Sequence, residues 1–424
     1  MTNKKRVRVN FIFVVVLMIS LIGVGCSSDI STPEEYEWNF LIYMGANNDL
    51  ERFAIRDIKQ MEKIGSTANV NILVLVDWWG VYSDSQGPKS TQLYRITKNP
   101  NSAKGINSEL VADYGELDMT DPKSLIDFVR YAQNKYPANN TMLTLWSHGT
   151  GVYPQNVEKQ GIGIDYTTGT GKNDLLTIKE VSFALSEIKK LTGEKIDIVN
   201  MDACLMQMLE VAYEIQHLTD YLVASQVLVP GRGNDYYSIL EFLNDDPHLS
   251  KDELVSFLVD DFARKYDENY STAYSAIDLG DDFAEFVASF NSLAEDLYYS
   301  NEAELAEINK IRDEMNDIDS TYIEYVDIIN FVRKIKDNQE INKQTKKSIN
   351  KFISSFEKTL INQQALGRYD INQKEVEAPL YGLSINLPYN EQTWSYYSES
   401  NQYASLQIAE DTLWDDFAKK LMDY

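Results

Sequence analysis

Five short apolar runs, over residues 40–44, 70–76, 141–146, 196–200 and 221–224, alternate with stretches whose apolar residues recur at helical spacing. That alternation leaves few folds open. A strand that is apolar nearly throughout must be covered on both faces, and a largely parallel sheet with helices on either side supplies that cover. The helical patterns fall over 50–64, 124–136, 178–191 and 205–217, and Thr177 with Glu180 forms a capping box that marks one start. The sequence thus predicts an α/β core over 38–240. From 241 to 424 the chain turns mainly helical and acidic, with helical patterns over 240–265 and 282–358 and strand-like runs over 273–277 and 381–387. Ser250 and Glu253 offer a second capping box. This half is either a second helical layer or a separate lobe, with its strands completing the fold.

The head of the chain stands apart from the pattern. Lys4, Lys5, Arg6 and Arg8, with no acid among the first 25 residues, precede an apolar run over 11–22 and then Gly23, Val24, Gly25 and Cys26. This order reads as an export signal over 1–25 ending at a lipobox-like site, with Gly23 where such sites usually carry leucine. A membrane-spanning helix needs about 20 apolar residues, so the run is a leader rather than a span. Cys26 is then the expected lipidation site and residues 26–37 a polar tether. The body is expected to be a bacterial extracytoplasmic, membrane-anchored lipoprotein.

The net charge of −26 becomes −30 once the four leader cations are removed, which excludes nucleic acid as a partner and favours cationic ligands. With Cys26 assigned to the anchor, Cys204 is the one remaining cysteine of the body. No disulfide can form within the body.

Two strand ends carry chemistry. The run over 141–146 leads into Ser147, His148 and Gly149, and the run over 196–200 leads into Met201, Asp202, Ala203 and Cys204. In open parallel sheets ligands bind beyond the carboxyl ends of the strands, so neighbouring strands would bring thiol and imidazole to one cleft. A helix starting near Leu205 would lower the thiol pKa through its dipole. His148 suits proton transfer to a leaving amine, and the amides of Gly149 and Cys204 suit an oxyanion. A buried cysteine is otherwise a small core hydrophobe.

The segments Trp38-Asn39-Phe40-Leu41-Ile42-Tyr43-Met44, Asn48-Asp49-Leu50, Leu145-Trp146-Ser147-His148-Gly149 and Asp202-Ala203-Cys204-Leu205-Met206 with Glu210 resemble the clostripain family of cysteine peptidases, in the caspase-like clan. The late Tyr381-Gly382-Leu383-Ser384-Ile385 also fits. The resemblance implies a caspase-like three-layer sandwich with a mostly parallel sheet, His148 and Cys204 as catalytic dyad, and cleavage of peptide or protein substrates after Arg or Lys through a thioester. It implies no cofactor for the chemistry and allows calcium.

In an extended backbone Asp202 and Cys204 point the same way, which makes Asp202 the candidate specificity anchor, with helix capping as its other role. Ser225, Gln226 and Asp235 are the further candidates for the substrate pocket. Here the sequence departs from the family: no acid follows soon after Gln226, and Arg232 stands close by, so either Asp235 substitutes or Arg232 favours an acidic or otherwise different side chain, and the preference is open. Residues 152–174 are glycine-rich, and Lys159 and Lys172 within them are candidate self-processing sites. The Asn47-Asn48-Asp49 cluster is read as a cap in preference to a cation site. A catalytically inactive caspase-like surface module binding peptide or glycan is the alternative function.

Overall fold

The computed structural model describes residues 35–81, 89–100, 105–152, 161–166, 174–266, 271–315, 324–367, 379–388 and 403–424. Strands β1 (Tyr36–Ala46), β2 (Val70–Trp78), β5 (Ala138–Trp146), β8 (Ile196–Asp202) and β9 (Thr219–Ser225) form the parallel centre of a nine-stranded sheet. At one edge β3 (Thr91–Arg95) and β4 (Glu109–Asp113) add antiparallel, and at the other β10 (Thr272–Asp278) and β12 (Leu360–Leu366) do the same. The strand order is β12-β10-β9-β8-β5-β1-β2-β3-β4.

The pleat sorts each apolar run between two cores. Phe40, Ile42 and Met44 enter one, packed under α1 (Glu51–Glu62), α5 (Tyr236–Asp245) and α6 (Lys251–Lys265). Leu41 and Tyr43 enter the other, under α2 (Pro122–Lys135), α3 (Ile178–Thr192) and α4 (Leu209–Ile215). Two-sided burial is why these strands read as unbroken apolar runs. The result is a three-layer α/β sandwich.

The acidic second half joins the same body. Phe286 and Phe290 of α7 (Asp281–Tyr298) and Phe352 and Phe356 of α10 (Lys343–Thr359) lie in one core with Leu143 and Val199. Strands β10 and β12 extend the sheet, so this half is a layer rather than a lobe. A short pair, β11 (Tyr325–Asp327) with β13 (Ser384–Asn386), docks beside the Cys204 turn through a bridge from Ser384 to Met208. Both capping boxes are present, at Thr177 with Glu180 and at Ser250 with Glu253.

Candidate active site

The register of two neighbouring strands sets the site. Trp146 of β5 pairs with Asp202 of β8, and two residues beyond each stand His148 and Cys204. Both loops leave the sheet at the same height. Gly149 seals them together: a Cβ there would sit 2.4 Å from the Cys204 carbonyl oxygen and 3.0 Å from both Ala203 Cβ and Met206 Cγ. A side chain has no room at 149. Gly149 also pairs with Ile162 of β6 (Gly161–Asp165), which fixes the far side of the His148 turn.

Each residue of the Trp146-Ser147-His148 run has a partner. Trp146 Nε1 donates to Asp57 Oδ2 at 3.1 Å, and Ser147 Oγ donates to the Gly45 carbonyl at 2.8 Å. The His148 ring, 29% exposed, places Nε2 2.8 Å from Asp49 Oδ1. An ionised carboxylate only accepts, so the imidazole is the donor in that bond. The bond from His148 holds the Asp49 carboxyl below the usual carboxylate range.

Cys204 is half-buried, and its Sγ accepts the Val229 amide at 3.2 Å. The helix expected from Leu205 begins instead at Leu209. Leu205, fully buried, has φ 62°, a left-handed conformation that no helix start can use, and its amide is committed to the Val227 carbonyl at 3.2 Å. The Gln207 amide likewise goes to Ser225 O at 2.9 Å. Cys204 therefore sits in a tight turn four residues short of the helix, and the helix-dipole account of its acidity does not hold. The Val229 N–H faces the sulfur, and Sγ in turn lies 3.9 Å from the Val229 carbonyl oxygen.

Asp202 is likewise placed differently from the expectation. It is 4% exposed and lies on the face of α1, α5 and α6, where Oδ2 accepts from Asn234 N at 3.0 Å and Tyr236 Oη at 2.9 Å, whereas Cys204 packs against the opposite core. The two do not share a side, because β8 ends at Asp202 and the pleat does not continue through the turn. Burial pushes the Asp202 carboxyl up. Its Oδ1 accepts no hydrogen bond among the described residues. Beside it, Lys265 Nζ donates to the carbonyls of Arg232, Gly233 and Asn234 at 2.7, 2.9 and 2.7 Å, and Arg56 also reaches Arg232 O. These cations hold the 232–234 loop in place.

Ser225 and Gln226, expected at the substrate pocket, are both buried. Ser225 is fully buried and donates to Val227 O and Ala273 O; Gln226, 1% exposed, donates to Asp327 Oδ2 and accepts from the Gly382 amide. The segment over 381–386 covers this strand end, a contact between residues more than 150 positions apart. Asp235 is half-buried and caps α5 through Ser238 N at 3.3 Å. Cys26, Lys159 and Lys172 lie outside the described residues.

The clostripain family model matches residues 42–423. The chain belongs to the clostripain family. Clostripain of Hathewaya histolytica is 27% identical over 418 residues, which cover 85% of this chain and 76% of that protein. An inactive zymogen protease from Parabacteroides distasonis superposes with a TM-score of 0.67 at 21% identity, covering 90% of this chain and 99% of that one. A secreted cysteine protease from Bacteroides thetaiotaomicron, solved with an irreversible peptide inhibitor, gives 0.63 at 20% identity, covering 91% and 99%. At these identities the solved structures speak for the fold, the caspase-like sandwich.

As a clostripain-family protein the chain is a cysteine-type endopeptidase, acting on peptide or protein substrates with chemistry that requires no cofactor. The family motifs acquire physical roles in this chain. Glu210, fully buried, accepts from the Asn386 amide at 2.8 Å and Tyr403 Oη at 3.0 Å, tying α4 to the C-terminal segments. Asn48 Oδ1 accepts from Leu50 N, but the N-cap of α1 is Leu50 itself, so the Asn47-Asn48-Asp49 run shapes a loop rather than capping a helix. Among the described residues Asp77, Glu116 and Asp165 bring carboxylate oxygens within 4.8 Å of one another, a donor set suited to a hard cation such as calcium. No step of the chemistry runs through that cluster. Among the described residues no helix is long and apolar enough to cross a membrane.

Proposed function

We propose that this endopeptidase is an extracytoplasmic lipoprotein anchored through Cys26, and that it cleaves after Arg or Lys with Cys204 as nucleophile and His148 as acid and base. The observation that supports the dyad is the shared register of Trp146 and Asp202, since His148 and Cys204 each follow two residues beyond these paired strand ends. The Cys204 thiolate attacks the scissile carbonyl carbon, His148 protonates the departing amine, and a thioester remains. Water activated by the then neutral imidazole cleaves the thioester and restores the thiol. Gly149, whose amide has no acceptor among the described residues, is the nearer candidate for the oxyanion, with the Cys204 amide as the second donor.

One feature supports a basic side chain before the scissile bond: the chain carries a net charge of −26, which draws cations. Screening peptides varied at the residue before the scissile bond tests the preference. Cys204→Ala should abolish cleavage with the fold retained; turnover surviving in that variant removes the nucleophile assignment. Release of radiolabelled palmitate-bearing protein into detergent, lost in Cys26→Ser, tests the anchor.

A further inference from the structure

We infer that Asp49 is the positioning residue of the catalytic centre, holding the His148 ring by Nε2 so that Nδ1 is the nitrogen that exchanges protons with substrate and sulfur. The inference rests on the reading of His148 as acid and base. Asp49 Oδ1 takes the Nε2–H bond at 2.8 Å and is also reached by the Tyr166 hydroxyl at 3.4 Å. One ring nitrogen is thereby spent, and only the other remains for chemistry.

The contact is built, not incidental, because the loop that carries Asp49 is wired to the turn that carries His148. Asn48, with no exposed surface, donates through Nδ2 to Gly45 O at 3.0 Å, Ser147 Oγ at 3.3 Å and Ile164 O at 2.7 Å. Ser147 closes the same circuit through Gly45 O. The β6 hairpin then joins both partners: Gly163 N donates to His148 O at 3.0 Å and Tyr166 N to Asn47 O at 3.0 Å. Residues 48, 147, 164 and 166 therefore hold carboxylate and imidazole at a fixed distance before substrate arrives. Such preorganisation is what an orienting group in a nucleophile-base pair provides.

The proton balance needs no transfer to the carboxylate. When the thioester forms, the C–N bond breaks and Nδ1–H gives its proton to the leaving amine; when water attacks the thioester, Nδ1 takes a proton and later shares it with the sulfur. Asp49 stays ionised throughout and stabilises the imidazolium. The groups facing Asp49 are His148 and Tyr166, whose hydroxyl is pushed up by burial and by the Asp49 charge.

Three measurements decide it. Asp49 is 57% exposed, so Asp49→Asn and Asp49→Ala should keep the wild-type melting temperature. Asp49→Ala should lower kcat roughly 100-fold with KM changed by less than about threefold. Wild-type kcat in Asp49→Ala would overturn the inference while leaving the dyad intact; activity surviving in His148→Ala would instead overturn the dyad. The wild-type chain supplies a test that no misfolded variant can blur. With 15N-labelled histidine, and the His148 signal assigned by its loss in His148→Gln, the neutral ring should appear as the Nε2–H tautomer, and the Nδ1–H tautomer would sink the proposal.

Discussion

Trp146 and Asp202 face each other across the pairing of β5 and β8, and both reach into one buried charge cluster. Trp146 Nε1 donates to Asp57 Oδ2 at 3.1 Å, and the Asp202 charge helps push the Asp57 carboxyl up to about 7, after burial itself and against Arg56. The pair thus anchors the His148 and Cys204 turns from below, at the last residues of their strands. What lies beyond each residue inherits a fixed height above the sheet.

The closeness of the two turns makes Gly149 intolerant of a side chain. In Gly149→Ala the new methyl would meet backbone, the Cys204 carbonyl oxygen at 2.4 Å, which cannot give without moving the Cys204 turn. Activity should fall by roughly 100-fold or more, the scale of a lost oxyanion donor, with a melting temperature reduced as well. Near wild-type kcat in this variant would show that the turns are free to separate.

Leu205 adopts φ 62° with no exposed surface, and an L-residue there carries roughly 1 kcal/mol of strain that glycine does not. Leu205→Ala and Leu205→Gly both lose the buried side chain. Glycine is normally the less stable of the two, but here denaturant unfolding should find Leu205→Gly at least as stable as Leu205→Ala. The ordinary order, alanine above glycine by about 1 kcal/mol, would mean the turn is not left-handed in solution.

Lys265 donates to three successive carbonyls, so one substitution removes three bonds from the 232–234 loop. Lys265→Met keeps the stem and removes the donors. Hydrogen bonds to a charged group contribute about 1.5–3 kcal/mol each, and partial replacement by water leaves an expected loss of about 2–4 kcal/mol by chemical denaturation. Since Val229, just ahead of that loop, bonds the sulfur, alkylation of Cys204 by a peptidyl electrophile should also slow. An unchanged unfolding midpoint would assign the loop's order to other contacts.

Glu210 gives the fold a pH dependence of known sign. Burial raises its carboxyl from 4.5 to about 7, against the bonds from Asn386 and Tyr403. The folded chain keeps that proton where the unfolded chain has released it, so the contribution is fully present below about pH 4.5 and is lost as pH rises through 7. Glu210→Gln should abolish this part, changing the stability gap between wild type and variant by about 3 kcal/mol from pH 5 to pH 8. Asp57 and Asp77, each raised to about 7, and Asp327, raised to about 6, titrate in the same window, so the gap and not the wild-type curve isolates Glu210. A constant gap across that range would show Glu210 ionised in the folded state.

By itself the sequence determined the sheet and which strand ends carry His148 and Cys204. Unbroken apolar runs report burial on both faces, a local property, and they located all five parallel strands and the turns that bear His148 and Cys204. The tertiary structure alone decided the rest. Asp49 meets His148 across 99 residues only because β1 and β5 pair in one register, and nothing in the spacing of Asn48-Asp49-Leu50 encodes that distance. Ser225 and Gln226, at a strand end where ligands bind, were covered by a segment from the far end of the chain. The start of α4 slipped to Leu209 because amides that a helix would have used were already bonded to the end of β9 and the segment just after it, at Ser225 and Val227, a competition between hydrogen-bond partners that periodicity does not record.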